Sequence, residues 1–360
     1  MPATSLRRPA AWLLSGLLVI GGLAPAQADC LDCHEAELPA PDDPHLSLGK
    51  GCALCHGGDQ TAGDQVSAHN GLRAFPGLLD NSETSCGDCH PAQVQSVSEN
   101  LMHTGRGLVH ITRFAFGEQQ APGGPGDLAQ LGDSPADSLL RKLCASCHLG
   151  QPKTEHALDP VRDRGGGCLA CHINAYPEPG HPALSARVED ARCFGCHSRS
   201  GRIALSYAGL AEIDSVALKD PDTRHPARLA DGRLLEQRPP DLHHRAGLAC
   251  IDCHTADGLM GSGAGLDYAS QAVDIQCGDC HDPGPTIGSG EWPHEHRPAR
   301  QRVPYPTDPD QRFLVTARQG TPLWHIRVGE DGNWLYPKLG GAPLRIPPLA
   351  PASHPSEPDH

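Results

Sequence analysis

This 360-residue chain has sixteen cysteines, and every one belongs to a C-x-x-C unit followed directly by histidine. The eight units read CLDCH from Cys30, CALCH from Cys52, CGDCH from Cys86, CASCH from Cys144, CLACH from Cys168, CFGCH from Cys193, CIDCH from Cys250 and CGDCH from Cys277. Paired cysteines alone fit three chemistries: disulfides, zinc sites and covalent haem. Disulfide frameworks and zinc ribbons make no demand on the residue after the second cysteine, whereas haem attachment requires histidine there. Histidine is 22 of 360 residues, so eight such neighbours by chance have a probability on the order of one in ten billion. The pattern therefore selects haem, with no cysteine left over.

The spacing has a chemical reason. Two thiols add across the two vinyl groups of one porphyrin edge, and the adjacent imidazole comes up under the iron as an axial ligand. Eight covalently bound haem c groups are expected, on Cys30 and Cys33, Cys52 and Cys55, Cys86 and Cys89, Cys144 and Cys147, Cys168 and Cys171, Cys193 and Cys196, Cys250 and Cys253, and Cys277 and Cys280. Their proximal ligands are His34, His56, His90, His148, His172, His197, His254 and His281. On these motifs residues 30–281 resemble an octahaem member of the multihaem c-type cytochromes.

The second axial ligands must come from the other histidines, because Met102 and Met260 are the only methionines beyond Met1. His45 and His243 each lie seven residues before a motif, in a shared frame D-x-H-x3-G-x2-C-x2-C-H. His156 and His181 each lie twelve before one, and His69, His103 and His294 each follow a proximal histidine by thirteen. These seven are nominated as distal ligands. His225 is the eighth, standing alone in the long gap before the His243–His244 pair, with His110 and His244 as rivals. A distal histidine need not serve the haem of its own motif, so partners are left open.

Residues 1–28 read as a secretory signal: Arg7 and Arg8, an apolar run from Ala10 to Leu23, then Ala26-Gln27-Ala28 as the cleavage site. The run of about 14 residues is short of the roughly 18 to 20 that span a bilayer, so the mature chain is expected to carry no membrane span. The expected compartment is the periplasm, or else the cell surface or exterior. A formal charge of −14 excludes nucleic acid as an ordinary partner.

Gly and Pro make up about a fifth of the chain and only 4% is aromatic, which is poor material for an unaided core. At roughly 40 residues per motif no haem has a private domain, so neighbouring haems must share walls. The expected fold is mainly α with extensive irregular structure, the haems forming the core of a multihaem cytochrome c array, and a small β segment near the C-terminus. Residues 29–297 form the octahaem cytochrome c domain and 298–360 a cysteine-free C-terminal segment. Within the first, Pro91 to His103 carries Val94, Val97 and Leu101 on one helical face, and Ser134-Pro135 opens a helix running into Cys144. The stretch 117–132 reads as a loop, 312–338 as short strands with an Asp331-Gly332 turn, and 343–360 as a Pro-rich tail.

The resemblance implies electron transfer through closely packed, mostly bis-His low-spin haems in respiratory metabolism. The partners would be redox proteins: a membrane quinol-side donor, and a terminal reductase or external acceptor. It also keeps open an octahaem oxidoreductase with one substrate-accessible haem acting on a nitrogen or sulfur compound, and a filament-forming extracellular cytochrome. Against the enzyme, no C-x-x-C-K motif occurs, and none of the five lysines (Lys50, Lys142, Lys153, Lys219 and Lys338) stands in the frame of the lysine-ligated haem of tetrathionate-reductase-like proteins. No catalytic residue is assigned.

Overall fold

The computed structural model describes residues 30–34, 45, 51–124, 126–152, 165–175, 181–198, 203–213, 227–229, 232–290 and 311–349. The signal segment, His156, His225 and His294 lie outside the described residues. Helix and strand are both present, and most helices last a single turn, as frequent glycine and proline dictate. The longest described helices are Pro91–Glu99, Arg106–Ala115, Pro135–Leu143 and Asp190–His197. No described helix is long and apolar enough to cross a membrane.

The amphipathic stretch Pro91 to His103 is not one helix. It breaks at Asn100, which adopts an extended backbone and accepts the Met102 N–H on Oδ1, opening a new turn, Leu101–Thr104. The Asn100 amide nitrogen donates to the Leu259 carbonyl at 3.0 Å, tying this corner to the turn after the seventh motif. The helix Pro135–Leu143 starts as its sequence dictates, Ser134 capping the Asp137 N–H with proline at the first helical position. It packs on Arg106–Ala115 through Val109 and Leu140, which with Leu128 form one small apolar core.

Among the described residues, ten short strands make three sheets. β1 (Ile173–Ala175) pairs with β2 (Ala183–Leu184), and β3 (Leu210–Ile213), β4 (Ala227–Arg228) and β5 (Leu234–Gln237) form a sheet in the order β3-β5-β4. The largest sheet is an antiparallel meander: β6 (Ile287–Ser289), β7 (Arg312–Val315), β8 (Pro322–Gly329), β9 (Gly332–Leu335) and β10 (Leu344–Ile346). The turn between β8 and β9 is Glu330-Asp331, closed by the facing pair Gly329 and Gly332.

This sheet differs from the expected division of the chain in two ways. β6 precedes residue 298, and β10 lies within the expected Pro-rich tail. Pro343 and Pro347 bracket β10, which is tolerated because it is an edge strand paired only with β9. Nor is the sheet a separate unit. Leu314, Leu323, Ile326, Leu335 and Ile346 form its core together with Leu248, and Ile275 and Cys280 pack against them, so its inner face is completed by the last two motifs.

Candidate haem sites

Each motif is wound as a single helical turn, and that turn brings its three reactive side chains together. In the units starting at Cys30, Cys52, Cys86, Cys168 and Cys250, the histidine N–H donates to the carbonyl of the first cysteine at 2.8 to 3.1 Å. Positions i, i+3 and i+4 then share one helix face, so both thiols and the imidazole address the same space. All sixteen cysteines are unbridged, which leaves the disulfide reading without support. Among the described residues no group of cysteines is gathered as a zinc site. The one potential metal cluster is His103, Asp127 and His148.

The polypeptide covers the second cysteines of the motifs to different extents. Cys33 and Cys89 are exposed and Cys55 is half-buried, whereas Cys171, in the fifth motif, is covered well enough for burial to push its thiol up to about 11. The local turn is the same in each: the N–H groups of Cys33, Cys55, Cys89 and Cys171 donate to the carbonyls of Cys30, Cys52, Cys86 and Cys168 at 3.2 to 3.3 Å. These bonds close each turn on itself. Only Cys55 gains a longer-range partner for its main chain, its carbonyl accepting from Arg73 Nε at 3.3 Å. Thus Cys33, Cys55 and Cys89 are shaped for attachment by their own turns.

Among the described residues, five motif histidines stand opposite a second histidine. His34 faces His69 with ring centres 6.1 Å apart, His90 faces His45 at 6.4 Å, and His56 faces His181 at 6.0 Å. His148 faces His103 at 5.3 Å and His281 faces His243 at 6.1 Å. Two imidazoles on opposite sides of one metal, each nitrogen about 2.0 Å from it, have ring centres roughly 6 to 6.5 Å apart. Four of the five pairs have that separation and the fifth is slightly tighter. The five nominated distal histidines among the described residues are His45, His69, His103, His181 and His243, and each is in one of these pairs. In every pair the partner belongs to a motif other than the one whose spacing nominates the histidine.

The tautomers suit metal binding. Carbonyl oxygens only accept, so a ring nitrogen bonded to one must carry the proton. His56 Nδ1 donates to the Arg73 carbonyl at 3.0 Å, His172 Nδ1 to Ser185 at 2.9 Å, His181 Nδ1 to Pro182 at 2.8 Å and His281 Nδ1 to Pro347 at 2.8 Å. Each bond fixes its ring and leaves the Nε2 lone pair for a ligand, the usual support of a metal-bound imidazole. His148 Nε2 and His103 Nδ1 are buried with no hydrogen-bond partner. Burial pushes both of these rings towards the neutral form that binds metal. At these five pairs the donor set and its spacing fit an iron–porphyrin held between two imidazoles.

The two rival histidines are not paired with a motif histidine among the described residues, and both ring nitrogens of His110 are buried with no hydrogen-bond partner. His110 is fully buried against Gly126, with Nδ1 4.0 Å from an Asp267 carboxylate oxygen. His244 lies edge-on to Tyr207 with ring centres 5.2 Å apart.

The motifs also touch one another. The Cys86 thiol is drawn down to about 6 by a hydrogen bond with Cys168, which is itself pushed up, so the third and fifth motifs meet sulfur to sulfur. Cys193 and Cys250 are linked in the same way, joining the sixth to the seventh. The Cys196 thiol lies 3.7 Å from the Cys147 carbonyl, joining the sixth to the fourth. The Asp190 carboxylate accepts the Cys250 N–H at 2.8 Å, tying the helix of the sixth motif to the start of the seventh.

The fifth motif is set by backbone contact. Cys168 N–H donates to the Gly77 carbonyl at 2.9 Å, and Gly167 just before it has φ +65°. A Cβ on Gly167 would lie 2.2 Å from the Gly77 oxygen. Gly167→Ala thus combines a left-handed backbone with a clash against main chain, and is expected to cost about 2 to 5 kcal/mol. Urea unfolding measures this, and Gly63→Ala, in open space at an ordinary φ, is the control.

A feature the motif pattern alone does not expose is the aspartate in front of the second cysteine. In the seventh motif, Asp252 Oδ2 accepts the Ala249 N–H and Oδ1 accepts the Lys338 N–H, both at 2.7 Å. In the eighth, Asp279 accepts Gln276 N–H and Ala317 N–H, both at 2.8 Å. One oxygen closes the motif turn and the other grips the C-terminal sheet. His325 Nε2 donates to the Asp252 carbonyl at 3.0 Å, and Leu349 N–H to the His281 carbonyl at 2.9 Å. The sheet therefore holds both motif loops by their main chain.

No family model, no curated protein and no solved structure matches this chain.

Proposed function

We propose that the protein is an exported octahaem c-type cytochrome that passes electrons along a packed row of mostly bis-His haems. The observation that carries the reading is the set of five imidazole pairs, each with one member in a C-x-x-C-H motif and ring centres 5.3 to 6.4 Å apart. The bound haems would supply one-electron chemistry at low potential, since imidazole on both sides lacks the potential-raising methionine sulfur. The chain's own residues fix each imidazole through its Nδ1–H, keep thiols and ligand on one helical face, and bring the motifs into contact. The contacts of the third with the fifth motif, and of the sixth with the fourth and the seventh, support haems packed as neighbours, not isolated centres.

A donor on the membrane quinol side and a terminal reductase or external acceptor would be the partners, with the periplasm as the compartment. A spectroelectrochemical titration tests the function: eight electrons per chain should be taken up and released reversibly, over a broad range of low potentials. A protein that cycles no electrons between strong oxidant and strong reductant would overturn it.

A further inference from the structure

Lys338 opens the turn after β9, within the segment Pro337-Lys338-Leu339-Gly340. Its main chain is already used, the N–H being bound by Asp252. Its side chain goes further: Nζ donates to the Ile251 carbonyl at 2.6 Å. Ile251 and Asp252 are the two residues between Cys250 and Cys253, so both ends of Lys338 are anchored on one motif loop. The ammonium is well desolvated, and burial lowers its proton affinity. Its charge is felt at the His254 ring and at the Cys253 sulfur, which are the axial ligand and one attachment point of that motif. The only other described lysine, Lys142, is exposed.

A charge in this position does more than hold the sheet down. An uncharged side chain with the same main-chain bond would serve that purpose, because Asp252 grips the Lys338 N–H and not its ammonium. The low local dielectric strengthens the action of a fixed charge on any neighbouring centre that changes charge. Oxidised bis-imidazole haem carries one more positive charge at its iron than reduced haem, so a nearby cation disfavours the oxidised form and a nearby carboxylate favours it.

We infer that Lys338 is a positioning residue that sets the reduction potential at the seventh motif, its ammonium raising the potential of the haem on Cys250 and Cys253, and that Asp252 opposes it from the same loop. The inference rests on the haem reading above and deepens it by naming the residues that set the potential at one position. The seventh midpoint is affected most, since the cation is seated on that loop.

The test is a potentiometric titration of the intact protein, resolved into single haem components, for wild type, Lys338→Met, Lys338→Arg and Asp252→Asn. The component belonging to the seventh motif is the one missing from a protein carrying both Cys250→Ala and Cys253→Ala. Lys338→Met is expected to move that component to lower potential by more than any of the other seven. Lys338→Arg keeps it near its wild-type value, and Asp252→Asn moves it upward. A purely structural lysine would change haem content or unfolding temperature without these opposed shifts. Unchanged midpoints in a Lys338→Met protein that carries its full haem complement overturn the inference while leaving the haem reading intact. If Lys338→Met does not accumulate, an Asp252→Asn midpoint that fails to rise overturns it equally. A wild-type protein without haem would instead sink the functional reading beneath it.

Discussion

Alanine at His243 is expected to turn one of eight irons from low spin to high spin without releasing a haem. The ring of His243 stands 6.1 Å from that of His281, the axial residue of the eighth motif. It is held there by its own helix turn, Leu242–Arg245, where the Asp241 carboxylate accepts the His243 N–H at 2.8 Å and contacts Nδ1 at 3.1 Å. The neighbouring His244 is turned to Tyr207, whose hydroxyl is anchored on the Leu248 carbonyl at 2.6 Å, so it is not free to take over. Cys277 and Cys280 are untouched by the change and keep the covalent attachment. About one eighth of the iron should therefore give a high-spin signal in the oxidised electron paramagnetic resonance spectrum, one axial ligand having been removed from one site. His244→Ala should leave the number of low-spin irons as in the wild type. The reverse pattern, or no response to His243→Ala, would contradict the pairing of His243 with His281.

The second large effect is on stability. Asp137 is buried, and both its oxygens meet Arg113, with Nε–Oδ1 and Nη2–Oδ2 distances of 2.8 Å. The same carboxylate accepts the Gly132 N–H, so three donors converge on one group. This pairing holds its proton affinity below the usual carboxylate range, Arg113 being the main cause. Breaking a buried pair costs about 3 to 5 kcal/mol when the surviving charge stays buried. Arg113 is about one quarter exposed and recovers some hydration, so Asp137→Ala should cost about 2 to 4 kcal/mol at neutral pH.

The pH dependence follows from the direction of the shift. A carboxyl whose proton affinity is lowered by folding stabilises the native state above its unfolded value of about 3.9, and loses that contribution as pH falls through the lower folded value. Wild type and Asp137→Asn should thus differ most near neutrality and converge in acid below about pH 4. Denaturant unfolding at several pH values measures this. A difference that widens in acid would show that Asp137 is not ionised in the folded protein.

How far these sites can be read from the sequence depends on what sets each position. The attachment residues stand out because covalent chemistry demands cysteine and histidine at fixed offsets. Their burial does not, because Cys33 and Cys171 hold the same place in their motifs, and packing between motifs covers the second far better than the first. Distal candidates such as His45 and His69 stand out because they recur at fixed distances from motifs. Their partners do not, since the meeting of His45 with His90 or His181 with His56 is made by tertiary packing between motifs. The break at Asn100 is hidden for a similar reason: apolar periodicity registers Val94, Val97 and Leu101, but not an amide whose carbonyl partner lies 159 residues away. The strands of the C-terminal sheet are visible in their β-prone sequence, whereas its dependence on Leu248 and Cys280 is not. The aspartates of CIDCH and CGDCH are in plain view as letters, and only the fold supplies the Lys338 and Ala317 N–H groups that give them a role.

The protein's intact mass, measured after denaturation so that only covalent groups remain, tests the central claim most directly. A mass equal to the processed polypeptide plus eight haems is the expected result, and a chain carrying no covalent haem, or eight disulfides in its place, would contradict the account.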